Sequence, residues 1–188
     1  MRSATILGTA LTVTSALALA APAQARTVAP GRGGASSPVL VASCTATVSG
    51  TYSSPLDPGS TNAQQAETLQ QTGTATCVDD AGGVLVRGTV TRSAVLPAAQ
   101  CSGIVYSDPA TNTFNWADGT SSSFTLSPAA IVSVLGTAFS TGTGTVTAAS
   151  TKFAGDSIDG AVMSSGPGCG TASGQTTVTS TIVFTLAH

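Results

Sequence analysis

Charge is scarce in this sequence: only 7% of its 188 residues are Asp, Glu, Lys or Arg, and Glu67 is the single glutamate. Six Lys and Arg against eight Asp and Glu leave no basic stripe, which excludes nucleic acid as a partner held by phosphate contacts. Lys152 is the sole lysine, so no amine cluster can form. Histidine is nearly missing: His188 is the only one, and it is the last residue. A frayed end cannot hold a general base in place, which argues against a Ser-His-Asp or Cys-His arrangement. Gly155-Asp156-Ser157-Ile158 has the look of a secreted esterase's nucleophile block, but no Asp-x-x-His follows it, and it is read as coincidence.

Metal and cofactor signals are equally thin. The four cysteines are far apart with no CxxC and no internal His, which is not a zinc pattern. Asp156 with Asp159, or Asp79 with Asp80, could hold a calcium ion only weakly. Neither pair has the spacing of a dedicated calcium loop, and Asp beside Gly in a β protein is turn chemistry. Gly168 and Gly170 belong to no phosphate loop. No metal and no cofactor are expected. Glu67 could pair with one of the seven Asp as glycosidase carboxylates, the weakest of the functional readings.

Long apolar runs are confined to the start. Arg2, the apolar stretch 4–21 and Ala23-Gln24-Ala25 form a secretory signal over residues 1–25. Cleavage there leaves 163 residues with five basic and eight acidic groups, a net charge of −3. No later run reaches the roughly 18–20 apolar residues of a spanning helix, so secretion without a membrane span is expected. Val41-Ala42-Ser43-Cys44 resembles a lipid-attachment box, but Arg26, Pro30, Arg32, Gly33 and Gly34 separate it from the signal's apolar core. Residues 26–42 read as a flexible leader rich in Pro, Gly and Ser, and 43–188 as one domain. A domain of that size buries roughly 68–70% of its unfolded surface.

Cys44, Cys77, Cys101 and Cys169 all lie in the exported part, and an even count there argues for two disulfides. Of the connectivities open to them, sequential pairing, Cys44 with Cys77 and Cys101 with Cys169, is preferred because it closes the first loop around one hairpin-sized unit.

What is abundant is threonine, and it is periodic. Val178, Ile182, Phe184 and Leu186 alternate with Thr177, Thr179, Thr181 and Thr185; Cys44, Ala46 and Val48 alternate with Thr45, Thr47 and Ser49. Val84, Val86 and Val90 repeat the pattern against Arg87, Thr89 and Thr91. Side chains alternate faces along a strand, so the aliphatic parity is buried and the hydroxyl parity is wet. Asn62–Gln71 holds helix formers without an apolar stripe and suits a strand as well as one helical turn. Asp79-Asp80-Ala81-Gly82-Gly83 reads as a hairpin turn. No repeat of 20–50 residues is visible.

Around Asp118-Gly119, register decides which side chains share a face. A three-residue loop, Ala117-Asp118-Gly119, with Gly119 left-handed, pairs Trp116 with Thr120 and Phe114 with Ser122. Phe114, Trp116, Phe124 and Leu126 then lie on one face, each contributing about 1.5–3 kcal/mol when buried. A two-residue turn would split that set. Trp116 is therefore read as core rather than a sugar-stacking platform, and Asp118 as a turn residue.

Strands without a helix to cover them need a second sheet, so the expected fold is all-β, a two-layer antiparallel sandwich of immunoglobulin-like or related type. Cys44 opening the first strand, Cys77, the "WADGTS" hairpin 116–121, "FAGD" at 153–156 and Cys169 before a Thr-rich final strand resemble small secreted β-sandwich proteins of actinobacteria. The resemblance spans Ser43 to Leu186 and implies fold and export, with no catalytic residue carried over. The segment Gln100–Thr113 departs from the short turn expected of that group.

The expected function is that of a secreted, non-enzymatic protein with a structural or binding role toward an extracellular protein or glycan. An alternative is a proteinase inhibitor or carbohydrate-binding module. It would use the Cys-anchored loop Cys101-Ser102-Gly103-Ile104-Val105-Tyr106 with contacts from Tyr52 and Tyr106. A hydrolase built on Glu67 ranks last.

Overall fold

Alternating aliphatic and hydroxyl side chains produce nine strands and no helix among the residues that the computed structural model describes, 38–79 and 83–188. Residues 1–37, which take in the stretch read as a signal and most of that read as a leader, and Asp80, Ala81 and Gly82 lie outside the described residues. The strands are β1 (Leu40–Leu56), β2 (Gln65–Val78), β3 (Val84–Ala99), β4 (Gly103–Val105), β5 (Ala110–Trp116), β6 (Ser121–Val134), β7 (Thr137–Val146), β8 (Ser157–Ser165) and β9 (Gln175–Ala187). Leu40 and Ala42 already pair with β9, so the domain takes in the last residues assigned to the leader. The stretch from Asn62 resolves as strand from Gln65 onward: Glu67, Leu69 and Gln71 all point inward, and burial on alternate positions overrides the helix propensity of that segment.

The all-β, antiparallel, doubly bridged character agrees with the sequence. The architecture differs. Nine strands run in the order β4-β6-β5-β3-β2-β1-β9-β8-β7, and β7 pairs back onto β6. Eight of them therefore form a closed barrel in place of two facing sheets; the short β4 lies beside β6 and reaches β3 through the Ala98–Tyr106 bridge. Neighbours in the ring are consecutive in sequence, except where β3 meets β5 past the short β4 and where β9 meets β1. Closure requires strands to coil tightly, and Gly73 serves that need: a Cβ there would sit 1.9 Å from the Thr47 carbonyl oxygen. Closing the ring also pairs both edges that an open sheet would expose.

An eight-stranded barrel is just wide enough for side chains to fill. One end is filled by rings. Phe114 stacks on Trp116 and Phe124 at centroid distances of 5.1 and 5.3 Å and meets Phe184 edge-on at 5.7 Å. The hairpin that places them has the three-residue loop: Trp116 N donates to Thr120 O at 2.9 Å, Gly119 has φ 83°, and Phe114 faces Ser122. Trp116 is buried and its Nε1 donates to Ser122 Oγ at 2.9 Å. Asp118 accepts from Thr120 N at 3.0 Å and pairs with Lys152 Nζ at 2.7 Å, which with Thr120 holds its carboxyl far below the usual range. In β3 the expected parity holds for Val86 and Val90 but fails at Val84, which is 55% exposed because the β2–β3 register shifts at Val78. Asp79 and Gly83 close that hairpin, Asp79 N donating to Gly83 O at 2.9 Å.

The disulfides join Cys44 to Cys77 and Cys101 to Cys169. The first links directly facing residues of β1 and β2 inside the core, so Cys44 is not a free lipid-attachment site. The second ties the turn after β3 to the β8–β9 connection, at the end of the barrel away from the rings.

Candidate functional site

At that second end the interior is not filled. A cavity offers about 60 Å³ to the centres of water-sized molecules. One water needs roughly 10–15 Å³ by this measure, so the space takes several waters or a ligand of a few heavy atoms. Leu56, Leu69, Leu96, Val105 and Ile131 supply its apolar wall. Its polar lining includes Tyr52, Arg92, Gln100, Ser133, Ser164 and Gln175. Gly136, at the turn between β6 and β7, donates its N–H to the Cys101 carbonyl at 2.9 Å and so fixes the rim to the second disulfide.

Strand parity sets each polar group. Arg92 falls on β3 between Val90 and Ala94, both buried, and Gln71 follows Leu69 on β2. Arg92 Nη1 donates to Gln71 Oε1 at 2.5 Å, Gln71 Nε2 donates to Ser180 Oγ at 2.8 Å, and Ser180 shares a 2.7 Å hydrogen bond with Ser164. This chain crosses the barrel between the ring cluster and the cavity. Burial lowers the Arg92 pKa, opposed by Tyr52. Burial pushes the Tyr52 phenol up to about 12; Arg92 pulls it down and Glu67 pushes it further up. Tyr52 therefore keeps its proton at neutral pH.

Glu67 lies deep in the same end, 3% exposed. It accepts from Ser53 Oγ at 2.5 Å, from Ser54 N at 2.8 Å, from Ser54 Oγ, and from Gln65 Nε2 at 2.6 Å. Burial alone would raise its pKa, but these donors together outweigh it and the net shift is downward. Such a carboxylate is ionised and fully engaged, the reverse of a general acid with a raised pKa. A folded-state pKa below the unfolded one means stability that is present above about pH 4.3, the free Glu value, and lost as pH falls through the folded value. We expect the urea midpoint to drop between pH 5 and pH 3, and the drop to shrink in Glu67→Gln. Equal slopes in both proteins would remove Glu67 from the account.

Two sequence expectations are corrected nearby. The segment Cys101–Tyr106 is not open loop throughout: Gly103–Val105 form β4 against β6 and Tyr106 bridges Ala98, which leaves Tyr106 60% exposed as expected, while Tyr52 faces the interior. His188 is not frayed, because its backbone exchanges hydrogen bonds of 3.1 and 3.0 Å with Val39 and its Nδ1 lies 2.7 Å from Asp156 Oδ1. The ladder that closes the barrel holds the last residue in place. Ser157 beside this pair is occupied, donating to the Ala187 carbonyl at 2.9 Å.

Among the described residues no three His, Cys, Asp or Glu side chains gather as a metal site, and no helix is long and apolar enough to cross a membrane. Comparison with protein-family models, with curated proteins and with solved structures yields no match for this chain.

Arg92, Gln71 and Ser180 carry the polar layer, and none stood out by composition. The signal that finds Arg92 is its position: it continues the even parity of Val86 and Val90 into the core, where an arginine is rare unless it serves something.

Proposed function

We propose that this is an exported, non-enzymatic binding protein that admits a small ligand into the open end of its barrel. The observation that carries the reading is the cavity itself. Eight-stranded barrels either pack their interior or hold one small ligand, and this interior is packed with rings at one end and open at the other. The cavity's convergent polar groups over an aliphatic wall suit orientation of a guest. The nearby carboxylate, Glu67, is consumed by its own hydroxyl donors, which favours binding over hydrolysis. Export, and kinship with small secreted β proteins of actinobacteria, belong to the same proposal; two disulfides are compatible with an oxidising compartment. The outer wall is mostly Thr and Ser and the interior apolar, the reverse of a lipid-embedded barrel.

The test is a fragment screen followed by amide NMR. Ligands should shift the amides of Leu69, Arg92, Ile131 and Gly136 together and leave those of Trp116 and Phe114 unmoved. A screen whose hits all map to the outer strands, or that gives no hits, would overturn the internal site.

A further inference from the structure

We infer that the cavity takes a small organic monoanion, a carboxylate with a short apolar tail, docked on Arg92. This rests on the reading that the cavity is the binding site and adds the chemistry of its guest. Guanidinium is always protonated, and removing it from water is costly unless an anion compensates it. Arg92 is half-buried against the cavity, and among the described residues no carboxylate pairs with it. Among the described residues the carboxylate contacts of basic side chains are Lys152 with Asp118 and His188 with Asp156. Glu67, which shares Tyr52 as a neighbour, spends its oxygens on Ser53, Ser54 and Gln65. The protein bond to Arg92, from its Nη1 to Gln71, ends in a neutral amide that orients the guanidinium without cancelling its charge.

A second observation is independent of charge. Arg92 Nε is buried with no hydrogen-bond partner, one of two such side-chain atoms among the described residues. The other is Asn112 Oδ1, on the residue that faces Arg92 across the β3–β5 ladder. A hydroxyl or water shared between the two would satisfy both atoms and still leave the positive charge unmatched. A carboxylate accepts from the planar fork of N–H donors and supplies the charge that a neutral group does not; Asn112 Oδ1, itself an acceptor, is left to a water.

The remaining walls set size and class. Tyr52 retains its proton and is a neutral donor beside the guanidinium. Leu69 and Leu96, on the same two strands as Gln71 and Arg92, and Ile131 line the cavity too, and against them a sugar's hydroxyls would go unpaired but a short alkyl chain fits. One cation matches one negative charge, which disfavours a phosphate dianion, and the cavity volume caps the tail at a few carbons.

The experiment titrates the intact, oxidised protein with butyrate, with butyramide as its neutral isostere, and with inorganic phosphate, following the Arg92 Nε–H and Gly136 N–H resonances. Saturable binding of butyrate, at least tenfold tighter than butyramide or phosphate and accompanied by a shift of Arg92 Nε–H, is the expected result. Arg92→Gln should weaken butyrate at least tenfold and leave butyramide unchanged. Arg92→Lys, which keeps the charge but loses the fork, should fall between. The butyrate–butyramide comparison needs no variant and stands if either substitution fails to fold. Equal affinity for butyrate and butyramide in this cavity would overturn the anion while sparing the internal site. Tighter binding of phosphate would overturn the carboxylate class. No saturable shift with any of the three probes overturns the inference, and only the wider fragment screen then decides the site.

Discussion

Phe114→Ala is expected to destabilise the barrel by about 3–5 kcal/mol, the range for truncating a fully buried ring. Phe114 is 0% exposed and touches three other rings, Trp116, Phe124 and Phe184. Because those rings come from β5, β6 and β9, the void left behind is walled by a closed ladder that cannot collapse into it. For a domain of this size each kcal/mol lowers the melting temperature by roughly 2–4 °C, so a fall of about 6–20 °C should appear in a thermal scan. Met163→Ala, on the outer wall and 57% exposed, is the control and should stay within about 0.5 kcal/mol. Similar losses for both would mean that the rings are not the stabilising core.

Removing the bridge at the cavity end should cost nearly as much. Cys101 and Cys169 are separated by 68 residues, and the chain-entropy treatment assigns such a loop about 4 kcal/mol. The Cys101→Ser, Cys169→Ser double variant is expected to lose about 3–4 kcal/mol in urea unfolding, with faster hydrogen exchange at Gly136 than at Trp116. The paired change at Cys44 and Cys77, 33 residues apart, releases a shorter loop whose ends a continuous β1–β2 ladder still holds together. Its effect should be smaller. The reverse order would show that the second bridge constrains little.

Much of this was legible in the one-dimensional pattern. The parity of Val178, Ile182, Phe184 and Leu186 is the parity of the buried face of β9. The register around Gly119 follows from requiring four large apolar side chains to share a side, which a local turn can satisfy or refuse. Closure was not legible in this way. A strand in a sandwich and a strand in a barrel both bury one parity, so the pattern cannot separate them. What separates them is the pairing of Thr47 with Thr181, which joins β1 to β9, strands more than 100 residues apart in the sequence. Arg92 sits between these cases. Its inward position can be read from its neighbours, but the absence of a counter-charge depends on where every acidic side chain ends up. Glu67 shows why, since an isolated glutamate on the same inward face would be taken as the partner until its hydroxyl donors are located.

The ring of strands bears on how such a protein survives at high concentration. Cross-β growth begins when a free strand of one molecule captures a strand of another. Here β6 and β7 pair over ten positions and β1 and β9 over twelve, so both long seams are already zipped by their own chain. A molecule this poor in charge has little electrostatic repulsion to keep copies apart, and among the described residues the closure of the eight long strands supplies a colloidal protection that its surface charge does not.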